Sequence, residues 1–168
     1  MDSIQIFDDF LEPNELYESI DTMDKISWTY SRQSRADTPL FWTCDLKDNT
    51  LFNHTVLNIL SKKVGMEFEI LDLYSSGLTF GLDGFYHTDC DDEDHYSFIL
   101  YLSDINEMNI ETIGGHLLFK DGKNVMCIEP YLNRGVFFDS RVLHRALAPY
   151  RSGYVLRIAL IYKLKVKK

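Results

Sequence analysis

The sequence predicts an α+β domain that is mainly β, with two helices first and a barrel-like double sheet after them. Three observations carry that prediction. Apolar residues recur at helical spacing only before Gly65. Beyond it, short apolar runs are bounded by Gly, Asp, Asn or Pro, as strands are. The two patterns do not alternate, which argues against a series of βαβ units and for helices packed on one outer face of the strands.

Taken in order, Pro13-Asn14 leads into Leu16, Tyr17, Ile20 and Met23 at helical spacing, with proline and acidic residues near the start. This is the first helix. Residues 28–48 break into polar sequence with Trp28, Tyr30, Phe41 and Trp42 interspersed. Asn49-Thr50 then opens a second helix, with Phe52, Val56, Ile59 and Leu60 on one face, and Gly65 closes it as a C′ glycine does. Strands are expected over residues 67–74, 84–89, 96–102, 116–120, 125–128, 135–139 and 154–163. No internal repeat interrupts this order.

At 168 residues and 45% hydrophobic content, the chain is the size of one domain with ample material for a core. A formal net charge of -9 argues against a nucleic-acid partner, because tracking phosphates draws on clustered Lys and Arg. The basic end from Lys163 to Lys168 is expected to be a solvated tail. Met1-Asp2-Ser3-Ile4 has no basic stretch leading an apolar core, and no apolar run approaches membrane-spanning length. A soluble, cytoplasmic protein without a membrane partner is therefore expected. Cys44, Cys90 and Cys127 are odd in number, scattered and without metal spacing, which fits reduced thiols.

His87-Thr88-Asp89 carries the most chemistry. Residues two apart in an extended chain point to one side, so His87 and Asp89 can reach one metal ion while Thr88 faces away. A further histidine from a distant strand would complete three ligands. Two imidazoles and a carboxylate on one face of an octahedral ion leave the other face open, the ligand set of non-heme Fe(II) oxygenases. A lone His-x-Asp also fits an ordinary polar strand end. The acidic turn that follows, Cys90 to Asp94, lacks the spaced carboxylates and glycine of a calcium loop and reads as solvated. Arg157 lies mid-strand between Leu156 and Ile158, where a charge is costly unless paired, and strand parity groups it with Val155, Ala159 and Ile161. Arg151, in the turn Tyr150-Arg151-Ser152-Gly153, competes as the cation for an anionic ligand.

The whole order of features resembles the 2-oxoglutarate- and Fe(II)-dependent dioxygenases, in their prolyl hydroxylase-like branch. It is carried by His87-Thr88-Asp89, Phe98-Ile99-Leu100-Tyr101-Leu102, Gly114-Gly115-His116-Leu117, Gly135-Val136-Phe137-Phe138, His144 and Arg157-Ile158-Ala159. The resemblance implies a double-stranded β-helix, or jelly roll, over residues 66–163, with residues 1–65 as helical support and substrate-covering segment. It implies His87, Asp89 and His144 as ligands of Fe(II). His144 follows a strand and turn as the family's distal ligand does, against His54, His95 and His116 as other candidates. It implies Arg157 as the anchor for the far carboxylate of 2-oxoglutarate, although the spacing from His144 is longer than usual and keeps Arg151 open. Tyr101 matches the tyrosine that bonds the same carboxylate, and Tyr74 the one that approaches the cosubstrate near the metal.

Dioxygen is the other cosubstrate, ascorbate a candidate stimulant, and succinate and carbon dioxide the expected co-products. The substrate expected from this branch is a peptidyl proline presented by a protein or peptide, with residues 27–48 and Trp28 and Trp42 as its cover. Two other classes stay open. A nucleic-acid dealkylase would share the chemistry but would be expected to add a basic groove and base-stacking aromatics. A non-catalytic jelly-roll binding module would be expected to lack a ligand or the arginine.

Overall fold

Two antiparallel sheets stack face to face in the computed structural model, which describes residues 3–153 and 155–167. The larger runs β1 (Ile4–Phe7), β8 (Gly135–Asp139), β5 (His95–Tyr101), β10 (Arg157–Val166), β4 (Phe68–Leu78), β3 (Phe41–Asp45), β2 (Thr29–Arg32). The smaller runs β7 (Asn124–Ile128), β6 (Leu117–Asp121), β9 (His144–Ala146). The arrangement is the expected jelly roll with helical support. Helix α1 (Pro13–Lys25) and helix α2 (Leu57–Val64) precede most strands, and one turn, α3 (Ile110–Ile113), sits before β6. A wider π-type turn, Leu51–Val56, leads into α2, and Gly65 ends it in the left-handed conformation at φ 70°.

The alternation of β10 divides the core. Leu160, Tyr162 and Leu164 turn outward and pack with Phe98 and Leu100 of β5 against Met23 of α1 and Phe52, Val56 and Leu60 of the second helical segment. Ala159 and Ile161 turn inward, where Ile99, Tyr101, Val136 and Phe138 of the larger sheet meet Leu117, Phe119 and Ile128 of the smaller. Period-two burial on one strand thus serves two apolar layers. Tyr162 adds a buried hydrogen bond, its hydroxyl donating to the carbonyl of Phe52 at 3.0 Å. This bond ties the helical layer to the middle of the sheet.

Several expectations are corrected. Residues 84–89 are not a strand. They run beside β9 with one isolated bridge between His87 and His144, whose backbone N–H groups each donate to the other's carbonyl at 2.9 Å. Asp89 N–H turns instead to the carbonyl of Ser140 at 2.8 Å, beyond the reach of a regular ladder with β9. Residues 28–48 contain two strands, because β3 pairs with β4 over residues 42–45 and β2 pairs with β3. Their exposed polar residues suit a sheet edge, which polarity alone does not distinguish from a loop.

The basic end is no solvated tail as far as Val166. There β10 continues past the predicted limit with Leu164 fully buried, and its lysines alternate with apolar residues. Tyr154, where the last strand was expected to begin, lies outside the described residues, as do Met1, Asp2 and Lys168 of the two termini. Among helical positions, Tyr17 points to solvent, 73% exposed, and α1 is held by Met23.

Leu164→Ala separates strand from tail. Deleting a fully buried leucine side chain should cost about 2–5 kcal/mol in denaturant unfolding, whereas a residue in a solvated tail would cost less than about 0.5 kcal/mol.

Candidate active site

His87, Asp89 and His144 come together between the two sheets. A hydrogen bond to β9 holds His87, one to the Ser140 carbonyl holds Asp89, and His144 begins β9 itself. His87 Nε2 lies 3.4 Å from Asp89 Oδ1, and His144 Nε2 lies 3.6 Å from Asp89 Oδ2. One donor atom from each of the three residues falls within 4.8 Å of the others. Each imidazole is held from behind by a backbone carbonyl at 2.9 Å from Nδ1, Phe85 for His87 and Val142 for His144. With Nδ1 as the donor in those bonds, each Nε2 presents its lone pair to the shared space, the arrangement that orients metal-bound histidines.

The electrostatics suit a cation. Burial alone would raise the Asp89 carboxyl, but the hydrogen bond with His87 and the charges of Lys163 and His144 outweigh it and hold the group below the usual carboxylate range. Burial pushes His144 down to about 4, against the attraction of Asp89, so its imidazole stays neutral at physiological pH. An ionised carboxylate beside the neutral imidazole of His144 is a protonation state suited to binding metal.

Arg157 is 2% exposed on the inner face of β10. Its guanidinium donates to the Tyr101 hydroxyl at 3.3 Å and lies over that ring, 4.9 Å from the centroid. Nε has no hydrogen-bond partner, and among the described residues no carboxylate pairs with Arg157. Burial lowers its pKa and raises that of Tyr101. A buried guanidinium without a counter-ion is costly, and an anion bringing its own charge would offset that cost. Gly115 makes room for the arginine side chain: at its φ of 87°, a Cβ would sit 2.7 Å from Arg157 Cδ.

A cavity opens onto the two histidines, walled by Tyr74, Ser76 and Leu78 of β4, Ile99 of β5, and Ile161 and Lys163 of β10. Arg157 and Tyr101 are not on this wall. They lie further along the same inner face, Arg157 opposite Leu78 and Tyr101 opposite Ala159. The neighbouring wall comes from Ser34, Thr38, Pro39 and Phe41.

Tyr74 faces the cavity with the Arg32 guanidinium 3.5 Å above its ring, and burial raises its pKa. Its position is near the triad, while Tyr101 belongs to the arginine. The rival candidates stand apart: His116 and His54 are not in the cluster, and Arg151 is exposed in a 3-10 turn. His95 belongs to a second donor group with Cys90 and Asp92, in which Asp92 is 71% exposed. Trp42 does not face the cavity. Phe41 and Thr43 are buried while Trp42 projects from the other side of β3 toward Tyr30, so parity gives the inward position to Phe41. Trp28 packs on the helical layer of the core.

Sequence reasoning missed Ser97 and Lys163. Ser97 Oγ donates to Asp89 Oδ2 at 2.5 Å, and Lys163 Nζ forms an ion pair with the same oxygen. Lysine at an alternating position before Leu164 was the available signal.

The sequence matches no protein-family model and no curated protein. Solved structures do resemble the fold. An oxidoreductase of the 2OG-Fe(II) oxygenase family from Burkholderia pseudomallei has a TM-score of 0.76 at 12% identity, over 97% of this chain and 85% of that one. A prolyl hydroxylase from Trichoplax adhaerens, in complex with a hypoxia inducible factor peptide fragment, has a TM-score of 0.71 at 16% identity, over 97% and 83%. The viral collagen prolyl hydroxylase of Paramecium Bursaria Chlorella virus-1, as its 2OG complex, has a TM-score of 0.64 at 18% identity, over 98% and 97%.

The depressed His144 imidazole has a sign that can be measured. A histidine whose folded pKa lies below its ordinary value makes the unfolded chain bind more protons, so its contribution to stability falls as pH drops from about 6.5 toward 4. In an NMR titration of metal-free protein, His144 should stay neutral down to a midpoint near 4. A midpoint near 6.5 would show it to be solvated. At this depth of comparison the likeness is one of architecture: the chain has the jelly-roll fold of 2OG-Fe(II) oxygenases, prolyl hydroxylases among them.

Proposed function

We propose that this protein is a 2-oxoglutarate- and Fe(II)-dependent dioxygenase that hydroxylates a C–H bond, with a peptidyl proline as substrate. The observation that carries the reading is the coexistence, between the two sheets, of three metal-type donors and a buried arginine without a counter-ion among the described residues. His87, Asp89 and His144 would hold the ion, and Arg157 with Tyr101 would take the far carboxylate of 2-oxoglutarate, whose charge completes the pair that Arg157 lacks. Bound iron supplies the oxidative decarboxylation of 2-oxoglutarate and the activation of dioxygen. The chain supplies donors fixed by backbone hydrogen bonds, a neutral His144, and apolar walls at Leu78, Ile99 and Ile161 that exclude water.

The substrate assignment is supported by the likeness of the fold to prolyl hydroxylases, one of them in complex with a peptide fragment. Residues 33–40, between β2 and β3, reach the cavity through Ser34, Thr38 and Pro39, and we assign them as the substrate cover. A nucleic-acid dealkylase sharing this chemistry is disfavoured by the net charge of -9. A non-catalytic module is disfavoured by the intact donor set. The unpaired state of Cys44, Cys90 and Cys127 supports a reducing, cytoplasmic setting.

Incubation with Fe(II), ascorbate, 2-oxoglutarate and proline-containing peptides should yield succinate in step with a mass gain of one oxygen atom on proline. Alanine at His87, Asp89 or His144 should abolish both. Oxidation of methylated single-stranded nucleic acid instead would overturn the substrate while keeping the chemistry.

The two arginines should separate in cosubstrate titrations. Arg157→Ala should raise the 2-oxoglutarate requirement by the equivalent of about 2–5 kcal/mol, because truncation strands a carboxylate in a buried pocket. Arg151→Ala should change it little, and the reverse ranking would move the anchor to the turn.

A further inference from the structure

Lys163 is unexplained by the proposed chemistry. It lies on the inner face of β10, opposite Asp72 of β4 and Ser97 of β5, and its side chain is 23% exposed on the cavity wall. The nearer acidic neighbour in register does not hold it, since Asp72 pairs with Arg32 and Lys47. Its counter-charge is Asp89, at Oδ2. The same oxygen accepts the hydroxyl hydrogen of Ser97, and Ser97 Oγ lies 3.2 Å from Ser140 Oγ. Oδ2 is therefore tied by an ammonium and a hydroxyl, with His144 Nε2 3.6 Å away, while among the described residues Oδ1 has only the imidazole of His87 beside it, at 3.4 Å.

We infer that Lys163 is a positioning residue for the metal centre: it ties up one oxygen of Asp89, so that the carboxylate offers a metal ion the other oxygen alone, and its charge lowers the affinity of the site for cations. The inference rests on the proposed function. A carboxylate free at both oxygens can take two positions on an ion, whereas three single donors leave three positions for a chelating cosubstrate and dioxygen. Holding Oδ2 preserves that vacancy. The ammonium also sits as a fixed like charge beside an incoming divalent cation, which opposes binding. Lys163 thus sacrifices metal affinity for open coordination, and the two effects have opposite signs when it is removed.

The test uses Mn(II), which needs no turnover, with the full chain. Free Mn(II) measured by EPR gives metal affinity, and calorimetry of 2-oxoglutarate added to Mn(II)-loaded protein gives cosubstrate affinity. Lys163→Met should bind Mn(II) more tightly, by roughly 10–100-fold, the range over which partners of metal ligands act. It should bind 2-oxoglutarate more weakly, and Lys163→Arg should return both values toward wild type. Lys163→Gln serves the same purpose if thermal unfolding shows that the methionine variant folds poorly.

Unchanged or weaker Mn(II) binding by both neutral variants would overturn the assignment. If wild type binds Mn(II) and His87→Ala loses it, that outcome removes only the role of Lys163. If wild type binds no Mn(II), the functional reading and this inference fall together.

Discussion

Everything in this site depends on the register of β10. The strand is hydrogen-bonded on both sides, to β4 along its whole length and to β5 over Ala159 to Lys165. Its alternation sends Leu160, Tyr162 and Leu164 to the helical layer and Arg157, Ala159, Ile161 and Lys163 to the space between the sheets. A slip of one residue would exchange those sets, placing the arginine against the helices and leucines in the cavity. The apolar cost of that slip is what secures the polar residues, so the core fixes the chemistry. Tyr162, anchored to Phe52, reinforces the choice from the outside.

The inner face then carries an unusual charge distribution for a protein interior. One end of the space between the sheets holds a buried cation, Arg157, with no carboxylate partner among the described residues. The other holds Asp89, surrounded by Lys163, Ser97 and two imidazoles. Isolated charges in such a place destabilise the fold unless something compensates them. At Asp89 the compensation is internal and comes from Lys163. At Arg157 the proposed function would supply it as a bound anion. A ligand carrying a carboxylate at one end and metal-chelating oxygens at the other matches that asymmetry, which is why 2-oxoglutarate is a better physical fit than a simple anion.

Legibility of the site in the sequence followed distance along the chain. His87 and Asp89 are two residues apart, so any extended backbone presents them together, even though residues 84–89 form no regular strand. Arg157 was legible because a charge between Leu156 and Ile158 demands an explanation, although the sequence alone left Arg151 open as its rival. Ser97 was not legible, since its bond to Asp89 exists only once β5 and β8 are in register and Ser140 holds Asp89 beside them. Lys163 was misjudged because the charge of Lys163-Leu164-Lys165-Val166 outweighed its period-two pattern. Strands β2 and β3 were missed for a related reason: their exposed edge residues look like loop, and β3, on which β2 pairs, finds its own partner some thirty residues away in β4. Trp42 drew attention by its size, while parity on β3 gives the cavity to Phe41.

The most direct test is a crystal structure of the protein grown anaerobically with Fe(II) and 2-oxoglutarate, with the metal located by anomalous scattering. A single iron bonded to His87, Asp89 and His144, with the far carboxylate of 2-oxoglutarate on Arg157 and Tyr101, is the predicted result. Iron at Cys90, Asp92 and His95 instead, or a cosubstrate carboxylate bound away from Arg157, would contradict the account.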